Sequence, residues 1–209
     1  MSLRPTDPFA RFAAPLAALA LLVAAGCAPQ AVRGGAGTSR PDLDQPALGV
    51  GLDREDINWL VSENIGTLEA SRFWTGTVKA AAKPPLVAIW PIENRTTQHL
   101  DEQLLTILSS IETSLVNSGD VRVVARNQQE ALIDEIRRGS SSMYDRATAQ
   151  RAGRQLGAQY FITGRITSVD EKLSNVRRLQ YSLFLQALDV ETGLVLWQNE
   201  VTRSKQLKR

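Results

Sequence analysis

The spacing of apolar positions changes along the chain, and each change marks a different expected element. Ile57, Leu60, Val61, Ile65 and Leu68 recur at intervals of three and four behind Asp53, an N-cap residue type, and predict a helix to about Ser71. Pro84 and Pro85 open the continuous apolar run Leu86, Val87, Ala88, Ile89, Trp90, the pattern of a strand covered on both faces, and Pro91 is expected to end its regular pairing. Leu104, Leu108, Ile111 and Leu115, backed by Leu105 and Ile107, predict a second helix that stops at Asn117, Ser118 and Gly119. Val121, Val123 and Val124 form a short strand. Asn127 and Glu130 stand as a capping box before Leu132, Ile133 and Ile136, with Gly139 closing that helix. Asp145 is the expected cap of a fourth helix, in which Ala147, Ala149 and Ala152 allow close approach to a sheet and Gly157 is the stop.

The remainder has a period of two. Tyr160, Ile162, Gly164 and Ile166 alternate with Phe161, Thr163, Arg165 and Thr167, as in a half-buried strand. Leu179, Tyr181, Leu183, Leu185 and Ala187 run to a turn at Glu191, Thr192 and Gly193, and Val195, Trp197 and Val201 run back, a hairpin of about eleven residues per strand. The order α-β-α-β-α-α-β-β-β, with early strands joined through helices and a final meander, predicts a mixed α/β (α+β) fold: one domain, helices packed on a mixed sheet, and a C-terminal antiparallel hairpin.

The N-terminus follows different rules. Arg4 and Arg11 precede Phe12 to Ala25, which is almost wholly apolar and uncharged, yet shorter than the roughly 20 residues a spanning helix needs. The run ends in small residues, Val23, Ala24, Ala25, Gly26, directly before Cys27, the only cysteine. This resembles a bacterial lipobox, with Ala24 where Leu is usual. Residues 1–26 are thus expected to be a signal peptide and Cys27 the lipidated residue. A single cysteine makes no intramolecular disulfide. Ala28, not Asp, follows it, which in the sorting pattern it resembles favours the outer membrane.

Residues 28–52 carry Pro29, Pro41 and Pro46 and five glycines among short polar pieces, so 27–52 is expected to be a flexible, lipidated linker and 53–209 the globular domain. Stretched at about 3.3 Å per residue, this linker reaches roughly 80 Å. Gly34, Gly35 and Gly37 have neither the following Lys-Ser/Thr pair nor the preceding strand of a phosphate loop.

Charge adds little: 24 basic residues stand against 22 acidic, and 22 against 21 once Arg4, Arg11 and Asp7 leave with the signal. That balance gives no reason to expect a nucleic-acid partner. His99 is the only histidine, so no zinc cluster or Cys-His pair can be assembled and no cofactor is expected. Ser140, Ser141 and Ser142 lack the setting of a nucleophile elbow, and Asp189 with Glu191 reads as a turn cap before a carboxylate pair. Small basic clusters, Arg137 with Arg138, Arg151 with Arg154, Arg177 with Arg178, and the tail Lys205, Lys208, Arg209, are candidates for complementarity to a protein partner or to peptidoglycan acids.

A set of spaced motifs goes further: Pro85-Leu-Val-Ala-Ile-Trp-Pro-Ile-Glu-Asn-Arg-Thr96, Asn117-Ser-Gly119, Gln155-Leu-Gly-Ala-Gln-Tyr160 with Gly164 and Arg165, and Leu188-Asp-Val-Glu-Thr-Gly193 with Trp197. Over residues 84–201 these resemble the LpoB family of penicillin-binding protein activators. The resemblance implies an outer-membrane lipoprotein on the periplasmic side that binds and stimulates a class A penicillin-binding protein, a peptidoglycan synthase, and catalyses nothing itself. The core also resembles the N-terminal fold of TolB and the secretion lipoprotein CsgG. The alternative is therefore a lipoprotein that self-associates in envelope assembly, against which stands the lack of long membrane-hairpin insertions. Asn94, Arg95 and Thr96 are expected to turn the chain between strand and helix.

Overall fold

The computed structural model describes residues 38–41, 47, 49–138 and 146–208. Residues 45–209 form one unit. Its helices are α1 (Arg54–Ala70), α2 (Asp101–Ser118), α3 (Arg126–Arg138) and α4 (Arg146–Leu156), and its strands β1 (Leu86–Asn94), β2 (Arg122–Val123), β3 (Tyr160–Leu173), β4 (Val176–Asp189) and β5 (Val195–Lys208). A π-helical turn, Trp74–Val78, lies between α1 and β1. The sheet order is β2-β1-β3-β4-β5, with β1 parallel to both neighbours and β3-β4-β5 an antiparallel meander. The mixed sheet expected from the order of elements is the observed one.

Two cores lie on opposite faces. Ile57, Leu60 and Leu68 of α1 and Ile107, Ile111 and Leu115 of α2 pack with Val87, Ile162 and the alternate residues Leu179 to Ala187. Each fully buried leucine, such as Leu60 or Leu68, stabilises the fold by about 2 kcal/mol. On the other face Ile133 of α3 and Ala152 of α4 meet Ala88, Trp90, Phe161 and Leu188. Trp90 and Phe161 meet edge-on at 5.3 Å.

Local signals account for the ends of the elements. Asp53 caps α1 in a reciprocal capping box, its Oδ1 accepting from Asp56 N–H and Asp56 Oδ2 from Asp53 N–H. Gly119 closes α2 at φ 72°. The hairpin turn needs Gly193 at φ 72°, and Asp189 Oδ1 accepts from the N–H and hydroxyl of Thr192 at 2.7 and 2.8 Å. Asp189 is thus a turn cap.

Four expectations change. Pro91 does not end β1; the strand continues to Asn94 after a register shift between Ile89 and Ile92, because a bulge absorbs the missing N–H. Asn127 is inside α3, not at its cap, and accepts from Gln128 N–H while the cap position is Ala125. Ala147 is exposed while Ala152 meets the sheet, and the side chain of Ala149 lies outside the described residues. The meander strands are 14 residues each, longer than eleven, and β5 continues to Lys208. Gly139 and Asp145 lie outside the described residues.

Candidate functional site

The layer of α3 and α4 stops near Leu188, and beyond it one face of the meander carries no helix among the described residues. Register fixes what shares that face: Arg165 opposite Phe184 opposite Glu200, then Thr167 opposite Ser182 opposite Thr202. These positions alternate with the buried Leu183 and Leu185 and so point away from α1. The Arg165 guanidinium lies 4.1 Å from the Phe184 ring centroid, a contact worth about 0.5–1 kcal/mol at an exposed site. Ser182 and Thr202 hydroxyls are 2.7 Å apart, and Gln180 Nε2 donates to Ser204 Oγ at 2.9 Å. Cross-strand bonding orders this polar face.

The basic clusters divide. At the β3–β4 tip Arg177 donates to both Asp170 oxygens at 3.0 and 2.7 Å, and Arg178 Nε donates to Glu171 at 2.7 Å. The Arg177 hydrogen bonds hold the Asp170 carboxyl below its ordinary value. Arg151 donates to Thr148 Oγ1 at 3.3 Å, and Arg154 is exposed. The side chains of Arg137, Arg138 and Lys208, and all of Arg209, lie outside the described residues.

Lys205 is not a tail cation. It sits in β5, 8% exposed, with Nζ 2.5 Å from Asp53 Oδ2, 2.6 Å from Asp56 Oδ2 and 2.8 Å from the Gly51 carbonyl. Arg203, 3.6 Å from Asp56, covers the Trp59 ring at 4.8 Å. Partial burial pushes Asp53 up, but the Lys205 hydrogen bond, the Asp56 N–H and the Lys205 charge outweigh it, and it titrates below its ordinary value. For Lys205, burial pushes down, while the bonds and charges of Asp53 and Asp56 carry it above its ordinary value. The latch ties the segment before α1, where Leu52 is buried, to the end of β5. Sequence reasoning missed it; the available signal was the inward parity of Lys205 in a strand extended past Val201.

Other candidates take structural places. Asn94 Oδ1 accepts from the Thr96 N–H at 2.9 Å and hydroxyl at 2.8 Å, and its Nδ2 donates to the Gln98 carbonyl. His99 is exposed. Among the described residues no group of three His, Cys, Asp or Glu side chains is placed to hold a metal ion. Cys27, the Gly34 to Gly37 cluster and Ser140 to Ser142 lie outside the described residues.

These features define a mixed α/β domain whose meander leaves an ordered polar face open. The chain belongs to the LpoB family: the family model for the peptidoglycan-synthase activator LpoB matches residues 56–202. The fold is similar to the LpoB C-terminal domain from Salmonella enterica, at 18% identity and a TM-score of 0.50, covering 71% of this chain and 98% of that one. The structure of Escherichia coli LpoB determined by NMR matches at 16% identity and a TM-score of 0.49, over 99% of this chain and 84% of that one. No curated protein sequence matches the chain.

Proposed function

We propose that this chain is an outer-membrane lipoprotein, anchored through Cys27 on the periplasmic side, whose domain binds a class A penicillin-binding protein and activates it as a peptidoglycan synthase. The observation that carries the reading is the family match, which runs from the first turn of α1 into β5. The sequence motifs through Trp197 lie within the matched residues, and the lipobox-like stretch before Cys27 supports the reading from outside them.

Activation of this kind requires tighter binding to the active conformation of the synthase than to the resting one; a tenfold preference corresponds to about 1.4 kcal/mol. The anchor holds because two or three acyl chains, each methylene contributing about 0.8 kcal/mol, remain in the bilayer where one would exchange. The part of residues 27–52 that precedes Val50 then serves as the tether, because Val50 and Leu52 pack on the core, and its reach is roughly 70 Å.

Purified full-length chain mixed with each class A synthase of the same organism is expected to co-elute with at least one in size-exclusion chromatography. Absence of a complex with all of them would remove the reading. Export is tested separately: Cys27→Ser is expected to shift the chain from the outer-membrane fraction to the soluble periplasm, and unchanged membrane fractionation would contradict lipidation at Cys27.

A further inference from the structure

The sheet edge beside β1 forms a second surface. β2 pairs with Leu86 and Val87 alone, so among the described residues the rest of β1 has no strand on that side. α2 lies over one sheet face and α3 over the other, and a cleft of about 520 Å³ opens between them along Ile89 to Asn94. That volume falls within the roughly 300–1,000 Å³ typical of ligand pockets.

The floor does not invite a backbone-paired strand. Gln129, 4% exposed, carries the ladder one step past β2: its Oε1 accepts from Ile89 N–H at 3.1 Å, and its Nε2 donates to the Val124 carbonyl at 2.6 Å. Pro91 then has no N–H to offer. Recognition here falls to side chains. Leu104, Leu105 and Leu108 from α2 face Ile133 from α3 across the cleft, and Leu105 is 51% exposed. Among the described residues its lining includes the carboxylates Asp101 and Glu130, while Glu112 is paired with Arg126, whose guanidinium is 3.0 Å away. Apolar walls within a net negative rim fit a segment that is itself apolar and basic.

We propose that this cleft docks an amphipathic segment of the synthase, with its apolar side chains between α2 and α3 and its Lys or Arg side chains on Asp101 and Glu130. The assignment rests on the activator reading above and adds the surface and the chemistry of the partner segment.

The test uses the full-length chain and a purified class A synthase that the wild type binds. Leu105→Asp and Glu130→Lys alter exposed positions, so their melting temperatures are expected to match the wild type while each weakens binding tenfold or more. Glu63→Lys, at an exposed position of α1 away from the cleft and from the open sheet face, is expected to bind within twofold of the wild type. Leu105→p-benzoylphenylalanine is expected to photocross-link to a synthase peptide containing both apolar and basic residues. Wild-type affinity in both cleft variants overturns the assignment and leaves the activator reading intact. So does loss of binding only in Thr202→Arg, a substitution on the open sheet face, or a cross-link from position 105 only to residues 28–46 of this chain. A wild-type chain that binds no class A synthase overturns the reading and the assignment together.

Discussion

Lys205 couples two ends of the domain that are far apart in sequence, and its energetics follow from burial. Its side chain and that of Asp56 are 8% and 5% exposed, so Lys205→Met leaves a buried carboxylate with the Asp53 N–H and, as its cation, only the more distant Arg203. The expected cost is about 3 kcal/mol at neutral pH, read from urea denaturation. A loss within error of zero would mean that the latch is not formed in solution. The pH dependence has a definite sign. Asp53 is held below its ordinary value of 3.8, so its contribution is present at neutral pH and is lost as pH falls from there through its depressed value. Lys205 is held above 10.5, so its contribution is lost only as pH rises through that raised value. Lys205→Met is therefore expected to flatten the acid side of the stability profile. Gly164 makes a second residue-scale claim: a Cβ there would lie 2.0 Å from the Phe184 carbonyl oxygen of β4. Gly164→Ala is expected to lower stability by about 3 kcal/mol or more, and an unchanged melting temperature would contradict that close approach. The cap role of Asp53 was legible because capping acts over three residues. The Asp53–Lys205 bond spans 152 positions, and no local pattern signals it.

At the scale of elements, α1 and α2 were legible because their apolar stripes repeat with the helical period and end at residues suited to stopping a helix. The α2 stripe is wider than its own core uses: Ile107, Ile111 and Leu115 are buried, while Leu105 is exposed at the cleft. β5 was legible only as far as Val201. Its continuation alternates Thr202, Ser204 and Gln206 outward with Arg203 and Lys205 inward, and a charged inward face gives no apolar period. β1 outran its expected end because a bulge at Pro91 is a tertiary solution to a missing N–H. Gln129 is what finishes that edge. Gln129→Leu is expected to cost about 1–3 kcal/mol, since it leaves Ile89 N–H buried without its acceptor, and to speed hydrogen exchange at the Ile89 amide. An unchanged exchange rate would show that the side-chain amide does not stand in for a strand.

For the whole molecule, the mix of parallel and antiparallel pairing could be anticipated from the connections: β1-α2-β2 and the crossover through α3 and α4 to β3 are parallel units, and the last three strands follow one another by hairpins. The candidate docking surfaces were less legible. The open face depends on cross-strand register, and the cleft depends on two helices from opposite layers meeting at a truncated strand. Among the described residues no helix is long and apolar enough to cross a membrane. In the proposed function the domain is a ligand for a synthase and is attached through Cys27. The most direct test is the rate at which a purified class A synthase polymerises lipid II as the full-length chain is titrated in. The activator account predicts a rate that rises and saturates over the same concentrations as binding; a rate that stays flat while the synthase is saturated with the chain would contradict it.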